Sequence, residues 1–133
     1  MPKLSIHDVD ENLDDMLSDF GLGMLNDLKT LKLSPSDLTS FLTDNYEEIV
    51  EDTRARLYII NKSVFIKKLR LPFQKLSKSD GLRAILLVDQ QKQMSIFPIQ
   101  IYSAKKKPKH AKQEEAKYKA VIEHYVKEFM GGN

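Results

Sequence analysis

The sequence predicts an α+β fold in which a small antiparallel β-sheet is packed by N-terminal helices and one C-terminal amphipathic helix. Apolar residues near helical spacing fill the first third of the chain, strand-like runs fill residues 56–102, and a second helical stripe closes it. The 133 residues have the length of a single domain, 1–133. We expect an acidic helical part, 1–53, and a basic part, 54–133, that holds the sheet and the last helix.

The first helical region runs from Asp10 to Leu31. Its apolar residues lie near helical spacing, and Gly21 and Gly23 interrupt them. Glycine in a helix interior costs about 1 kcal/mol relative to alanine. The pattern therefore predicts two short helices or one kinked helix.

A further helix is predicted to start at Pro35. Ser34 is suited to be its N-cap, proline is favoured at the first helical position, and Asp37 is favourable near the positive helix end. Apolar residues then recur at spacings of three and four. We expect this helix to continue to about Glu51.

Strand-like runs make up the middle of the chain, at residues 56–60, 64–71, 82–88 and 94–102. Asn61, Lys62 and Ser63 separate the first two and have the length of a hairpin loop. Leu82 to Val88 is apolar on both faces, which predicts a central strand. Pro98 cannot donate a ladder hydrogen bond, so the last run needs a bulge or an edge position there.

The last predicted element is an amphipathic helix from about Lys112 to Phe129. Its apolar stripe lies at helical spacing and is expected to face the core. The stripe consists of Tyr118, Val121, Ile122, Tyr125, Val126 and Phe129.

Charge divides the chain. Residues 1–53 hold 3 Lys and Arg against 13 Asp and Glu, a balance of −10, and residues 54–133 hold 18 against 6, a balance of +12. A basic half commonly binds nucleic acid. The acidic residues 8–52 could fold back over the basic face and screen it, or could form helices that cover the sheet.

Several classes of protein and site are excluded or disfavoured by what the sequence lacks. Without cysteine there are no disulfides or thiolate metal sites. No long apolar run and no basic, signal-like start is present, so we expect a cytoplasmic protein without membrane contact. We find no phosphate-binding loop and no HExxH motif, and His7, His110 and His124 are scattered. We therefore expect no metal and no cofactor.

Cations recur where the predicted strands of the basic part end, which indicates a phosphate-facing surface. They are Lys67, Lys68, Arg70, Lys75, Lys78, Arg83, Lys105, Lys106 and Lys107.

Three short motifs within this basic part resemble the RelE/ParE superfamily, the toxins of type II toxin–antitoxin systems. Lys68-Leu69-Arg70 matches a K-x-L-R-like strand end, and Lys78 to Arg83 matches a K-S-x-G-Y-R-like turn. Tyr102 to Lys105 matches a Lys-rich Y-x-K segment after the final strand. The resemblance covers about residues 55–127.

The resemblance implies a toxin that cleaves messenger RNA on the ribosome, inhibits translation and is neutralised by a cognate antitoxin. Arg83 and Arg70 would clamp the phosphate, and Lys68 and Lys105 would act electrostatically or transfer protons. Arginine suits a phosphate because it presents two donors in a fixed fork. The further RNA-binding candidates are Lys67, Lys75, Lys78, Lys106, Lys107, Tyr102 and His110.

Some features depart from the family pattern, and other functions stay open. Leu82 stands where the family has an aromatic residue, and Lys3 to Ile6 is the candidate for the strand with which the family opens. ParE-type members inhibit DNA gyrase; Arg83 and Lys105 favour the ribonuclease branch. A non-catalytic RNA-binding or ribosome-binding module would use the same basic sheet. The sequence does not predict the oligomeric state.

Overall fold

The computed structural model describes residues 4–6, 11–45, 47, 49, 56–71, 81–91, 94–103 and 111–129. Four helices lie in these ranges: α1 (Glu11–Ser18), α2 (Met24–Leu31), α3 (Pro35–Asp44) and α4 (Ala111–Phe129). The strands are β1 (Leu4–Ile6), β2 (Arg56–Asn61), β3 (Val64–Leu71), β4 (Leu82–Asp89) and β5 (Met94–Ser103).

The strands form one five-stranded sheet in the order β1-β5-β4-β3-β2. The strands β2 to β5 pair antiparallel, which confirms the predicted α+β fold with its small antiparallel sheet. A short parallel strand is added at one edge, where Leu4–Ile6 pairs with Met94–Ile96. The candidate opening strand is therefore present, and it covers only the first part of β5.

The predicted interruption between α1 and α2 is confirmed as a break between two helices. Gly21 adopts a φ of +75°, which favours glycine because it has no Cβ. A Cβ there would also lie 3.3 Å from Cε of Lys117 on α4. The turn between α1 and α2 thus packs closely against the C-terminal helix.

The start of α3 is confirmed, and the helical stretch predicted to reach about Glu51 is interrupted at Asn45. Ser34 Oγ accepts from the Asp37 N–H and the Asp37 carboxylate accepts from the Ser34 N–H, which completes a capping box and lowers the pKa of Asp37. Helix α3 itself ends at Asp44, since Asn45 leaves helical geometry with φ −113° and ψ 18°. Residues 47 and 49 are helical again, and the Ile49 N–H bonds to the Asn45 carbonyl at 3.1 Å. Of the following residues up to 55, only 47 and 49 are described.

Strand β4 is the central strand, as its apolar composition predicts. Its apolar side chains are buried on both faces of the sheet. Helix α4 adds Tyr118, Val121 and Ile122 to the core, and the acidic N-terminal part adds a further set. That set includes Leu17, Met24, Leu28, Leu38 and Leu42, so the N-terminal helices belong to the core; whether they also screen a basic surface stays a prediction.

No described helix is long and apolar enough to cross a membrane.

Replacing Ser34 by alanine removes the acceptor of the capping box. We expect the free energy of unfolding to fall by about 1 kcal/mol, because the Asp37 N–H loses its side-chain partner. Urea unfolding measures this change. Ser40→Ala, at an exposed position within the same helix, is the matched control; an equal loss in both variants would contradict a specific capping role.

Candidate nucleic-acid interface

Three predicted site residues lie side by side across neighbouring strands. Arg70 on β3 is directly opposite Arg83 on β4, and Arg83 is directly opposite Tyr102 on β5. Directly opposed residues share one face of a sheet, with Cβ atoms about 4.5–5.5 Å apart. We call these three residues the arginine row. Arg70 is exposed, and Arg83 and Tyr102 are half-buried.

The two arginines lack an acidic partner in the part of the chain that the structure describes. No carboxylate of those residues lies within 4.0 Å of either guanidinium, and Arg83 donates from Nη1 only to the Leu82 carbonyl, at 3.2 Å. Like charges directly opposite each other across a sheet are destabilising. An anion held between the two guanidinium groups would turn this repulsion into attraction, which makes the row a candidate phosphate site.

A bulge in β5 brings Tyr102 into the row. From Asp89↔Ser95 to Leu86↔Pro98 the register is constant, and it then moves by one residue at Ile85↔Gln100. Because side chains alternate between the faces of a strand, one extra residue exchanges the two faces. Without it, Tyr102 would point away from Arg83. The expectation of a bulge at Pro98 is confirmed.

Helix α2 contacts β5 beyond the bulge. Oδ2 of Asp27 accepts a hydrogen bond from the Ile101 N–H, at 3.2 Å. Strand β1 pairs with β5 only as far as Ile96, so this N–H lies beyond the paired outer edge. Asp27 satisfies a ladder donor one residue before Tyr102, and an acidic residue of the N-terminal part thereby supports the arginine row.

A polar network fixes the first turns of α4 on the same face of the sheet. Gln100 donates to Glu114 at 2.9 Å and accepts from the Tyr118 hydroxyl, and Lys117 pairs with Glu114 at 2.9 Å. Burial, with the nearby Tyr102, Glu114, Asp27 and Glu115, raises the pKa of Tyr118. Gln100 lies two residues before Tyr102, so this network adjoins the arginine row.

The far end of α4 is fixed by a second tyrosine. The Tyr125 hydroxyl donates to Asp89 Oδ2 at 2.5 Å, and its ring packs against Phe97 with centroids 5.3 Å apart. Burial and the bond to Asp89 raise the pKa of Tyr125. Tyr118 and Tyr125 therefore stay protonated near neutral pH and act as structural donors.

Lys68 and Lys67 lie on opposite faces of β3. Lys68 is two residues from Arg70, on the face of the arginine row, opposite Ile85 and half-buried. Lys67 is 2% exposed and faces the other way. The expectation that Lys67 contributes to an RNA-facing surface is therefore wrong, because strand alternation carries it into the core.

The remaining predicted residues lie outside the described ranges: Lys75, Lys78, Lys105, Lys106, Lys107 and His110. In the chain, residues 72–80 follow Leu71 and residues 104–110 follow Ser103. Leu71 and Ser103 are the residues directly after Arg70 and Tyr102. The roles of the six predicted site residues outside the described ranges stay predictions.

Sequence reasoning missed Asp27, Gln100 and Glu114. A bulge of one residue at Pro98, included in the predicted strand pairing, would have placed Gln100 on the face of Lys68 and Tyr102 opposite Arg83. Nothing in the sequence connects Asp27 with Ile101, which are 74 residues apart. The described residues contain no group of three or more His, Cys, Asp or Glu that could hold a metal ion.

Comparison of the chain with protein-family models, with curated proteins and with solved structures finds no match in any of the three.

Replacing Arg83 by glutamine should stabilise the protein in the absence of a ligand. At low salt we expect the free energy of unfolding to rise by about 0.2–1 kcal/mol, because the repulsion from Arg70 is removed. High salt should diminish the gain by screening. Urea unfolding at low and at high salt measures the change in the free energy of unfolding. Lys29→Gln, at an exposed position of α2, is the charge-matched control. A less stable Arg83→Gln variant at both salt concentrations would contradict the repulsion.

Replacing Tyr125 by phenylalanine should lower stability most near neutral pH. Wild type gains from the neutral phenol fully below the ordinary tyrosine pKa of 10.0 and loses that gain as pH rises toward the higher folded pKa. We expect the variant to be about 1 kcal/mol less stable at about pH 8, and the gap to narrow above about pH 10. Urea unfolding from about pH 8 to above about pH 10 measures the difference in stability between wild type and the variant. A difference that does not change with pH would contradict a raised pKa of Tyr125 due to burial and Asp89.

Proposed function

We propose that this protein is a RelE/ParE-type toxin of a type II toxin–antitoxin system, an endoribonuclease that cleaves messenger RNA on the ribosome. Translation is inhibited in the cytoplasm, and a cognate antitoxin protein neutralises the activity. The observation that carries the proposal is the arginine row, in which Arg70 and Arg83 are opposed without an acidic partner among the described residues.

The row suits RNA cleavage through the 2′-hydroxyl. That oxygen forms a bond to the adjacent phosphorus, and the bond from phosphorus to the 5′-oxygen breaks, which leaves a cyclic phosphate and a free 5′-hydroxyl. Negative charge grows on the phosphate oxygens in between, and preorganised cations stabilise it. Arg70 and Arg83 supply two guanidinium forks, and Lys68 adds a charge on the same face.

Two protons must move during this reaction: one leaves the 2′-hydroxyl and one reaches the 5′-oxygen. Tyr102 is a candidate for one of these proton transfers, because it lies beside Arg83. Lys105 is a candidate by the resemblance alone. Tyr118 and Tyr125 are unsuited, because each hydroxyl is held in a hydrogen bond and has a raised pKa.

A ParE-like gyrase inhibitor is the second candidate, and the edge strand β2 favours it. The exposed large apolar side chains of the described residues all lie there: Leu57, Ile59 and Ile60. Such a surface is typical of protein–protein contact. A non-catalytic RNA-binding module would retain the arginine row without cleavage.

Induced expression of wild type and Arg83→Ala separates these functions. We expect growth arrest with wild type, with new 5′ ends inside translated messages detected by primer extension. Loss of a cation that stabilises the transition state should reduce cleavage by about 10²-fold or more, and RNA binding by much less. Lys29→Ala, on the exposed surface of α2, is the matched control.

Arrest without new 5′ ends would contradict the ribonuclease and favour gyrase inhibition. Absence of arrest, with RNA binding retained, would indicate the binding module. Equal cleavage by wild type and Arg83→Ala would remove Arg83 from the mechanism.

A further inference from the structure

A groove of about 260 Å³ lies between β2 and α4, on the same face of the sheet as the arginine row. Tyr58 is directly opposite Ile66, and Ile66, Lys68 and Arg70 share one face of β3. Helix α4 lies over this face too, since Tyr118 bonds to Gln100. The groove is lined by Leu57, Tyr58, Lys112, Glu115, Ala116, Tyr118 and Lys119.

The lining combines aromatic and apolar surface with cations. The Tyr58 ring is half-buried, and Nζ of Lys119 lies 5.8 Å from its centroid. Lys112 and Lys119 are exposed on the α4 side, in the first and the third turn of the helix. The groove is open to solvent, so a ligand can enter it from the surface. Aromatic rings beside cations are how proteins hold single-stranded nucleic acid.

We propose that this groove binds a nucleobase of the single-stranded RNA whose phosphate lies on the arginine row. This inference rests on the proposed function. The base stacks on Tyr58 in place of the Lys119 ammonium, which moves to a neighbouring phosphate, and Lys112 meets another phosphate. Glu115 adds a carboxylate acceptor, which suits the exocyclic amino group of adenine, cytosine or guanine and gives uracil no donor of that kind.

The spacing agrees with one strand of RNA reaching both places. Ile66, opposite Tyr58, is four residues from Arg70 along β3, which is about 13 Å. Lys68 lies between them on the same strand and face. Ile66 is buried under α4, so the RNA passes over the edge of the helix between the phosphate clamp and the base site.

The probe is a short single-stranded RNA with 2′-O-methyl groups, which binds but cannot react, together with copies that lack one base at each position in turn. Fluorescence anisotropy gives the affinities. For wild type we expect one missing base to weaken binding about tenfold, since stacking on an aromatic ring contributes about 1–3 kcal/mol. Uracil at that position should bind more weakly than adenine.

Variants then place the base in the groove. Tyr58→Leu should weaken binding of intact RNA about tenfold and lose its sensitivity to the missing base, whereas Tyr58→Phe keeps both. Ile59→Ala is the matched control, because Ile59 is exposed on the same strand and pairs with Phe65 on the opposite face. Lys119→Gln, at an exposed helix position, should weaken binding without unfolding risk.

Failure of the groove and failure of the proposed function are distinguishable. If wild type binds RNA through Arg83 but removal of any single base leaves the affinity unchanged, the groove is not a base site. The same follows if Tyr58→Leu still binds RNA with the missing base more weakly than intact RNA. If wild type does not bind RNA at all, the proposed function fails and the groove inference fails with it.

Discussion

The register of β3, β4 and β5 is the constraint on which the candidate site depends. It sets Arg70 opposite Arg83, and the extra residue at Pro98 and Ile99 adds Tyr102 to the same face. A one-residue slip would exchange the two faces and carry the charged side chains toward the core. Strand β3 opposes such a slip, because it would exchange the buried Leu69 for the exposed Arg70. Core packing thus determines which side chains meet a ligand.

The positive charges of the arginine row are expected to lower the stability of the sheet. Arg70 and Arg83 are opposed, and like charges in that position are expected to repel each other across the sheet. Tyr125 and Tyr118 anchor α4 to the sheet, and Asp27 satisfies the Ile101 N–H beyond the bulge. The bonds of Tyr118 and Asp27 adjoin the arginine row, and the bond of Tyr125 to Asp89 holds the far end of the covering helix. The N-terminal helices, although acidic, stabilise the basic sheet through their apolar faces.

The sequence predicts the elements better than their ends or their contacts. The Ser34 cap, the hairpin at Asn61 and the central strand follow from local chemistry and hydrophobic period, and all are present. The interruption of the helical stretch at Asn45 has no distinct signal in the sequence. Strand alternation places Lys68 and Lys67 on opposite faces, yet which face is buried depends on tertiary packing. Asp27 and the groove beside Tyr58 depend on long-range contacts that no local pattern specifies.

The salt dependence of RNA binding tests the arginine row most directly. Each phosphate contact with single-stranded nucleic acid contributes about 0.7 to the slope of log K against log salt. For Arg70→Gln combined with Arg83→Gln, we predict a slope about 0.7 smaller in magnitude than that of wild type, because the two arginines hold one phosphate. Lys29→Gln should leave it unchanged. An unaltered slope in the double variant would contradict the assignment of these arginines to RNA phosphate.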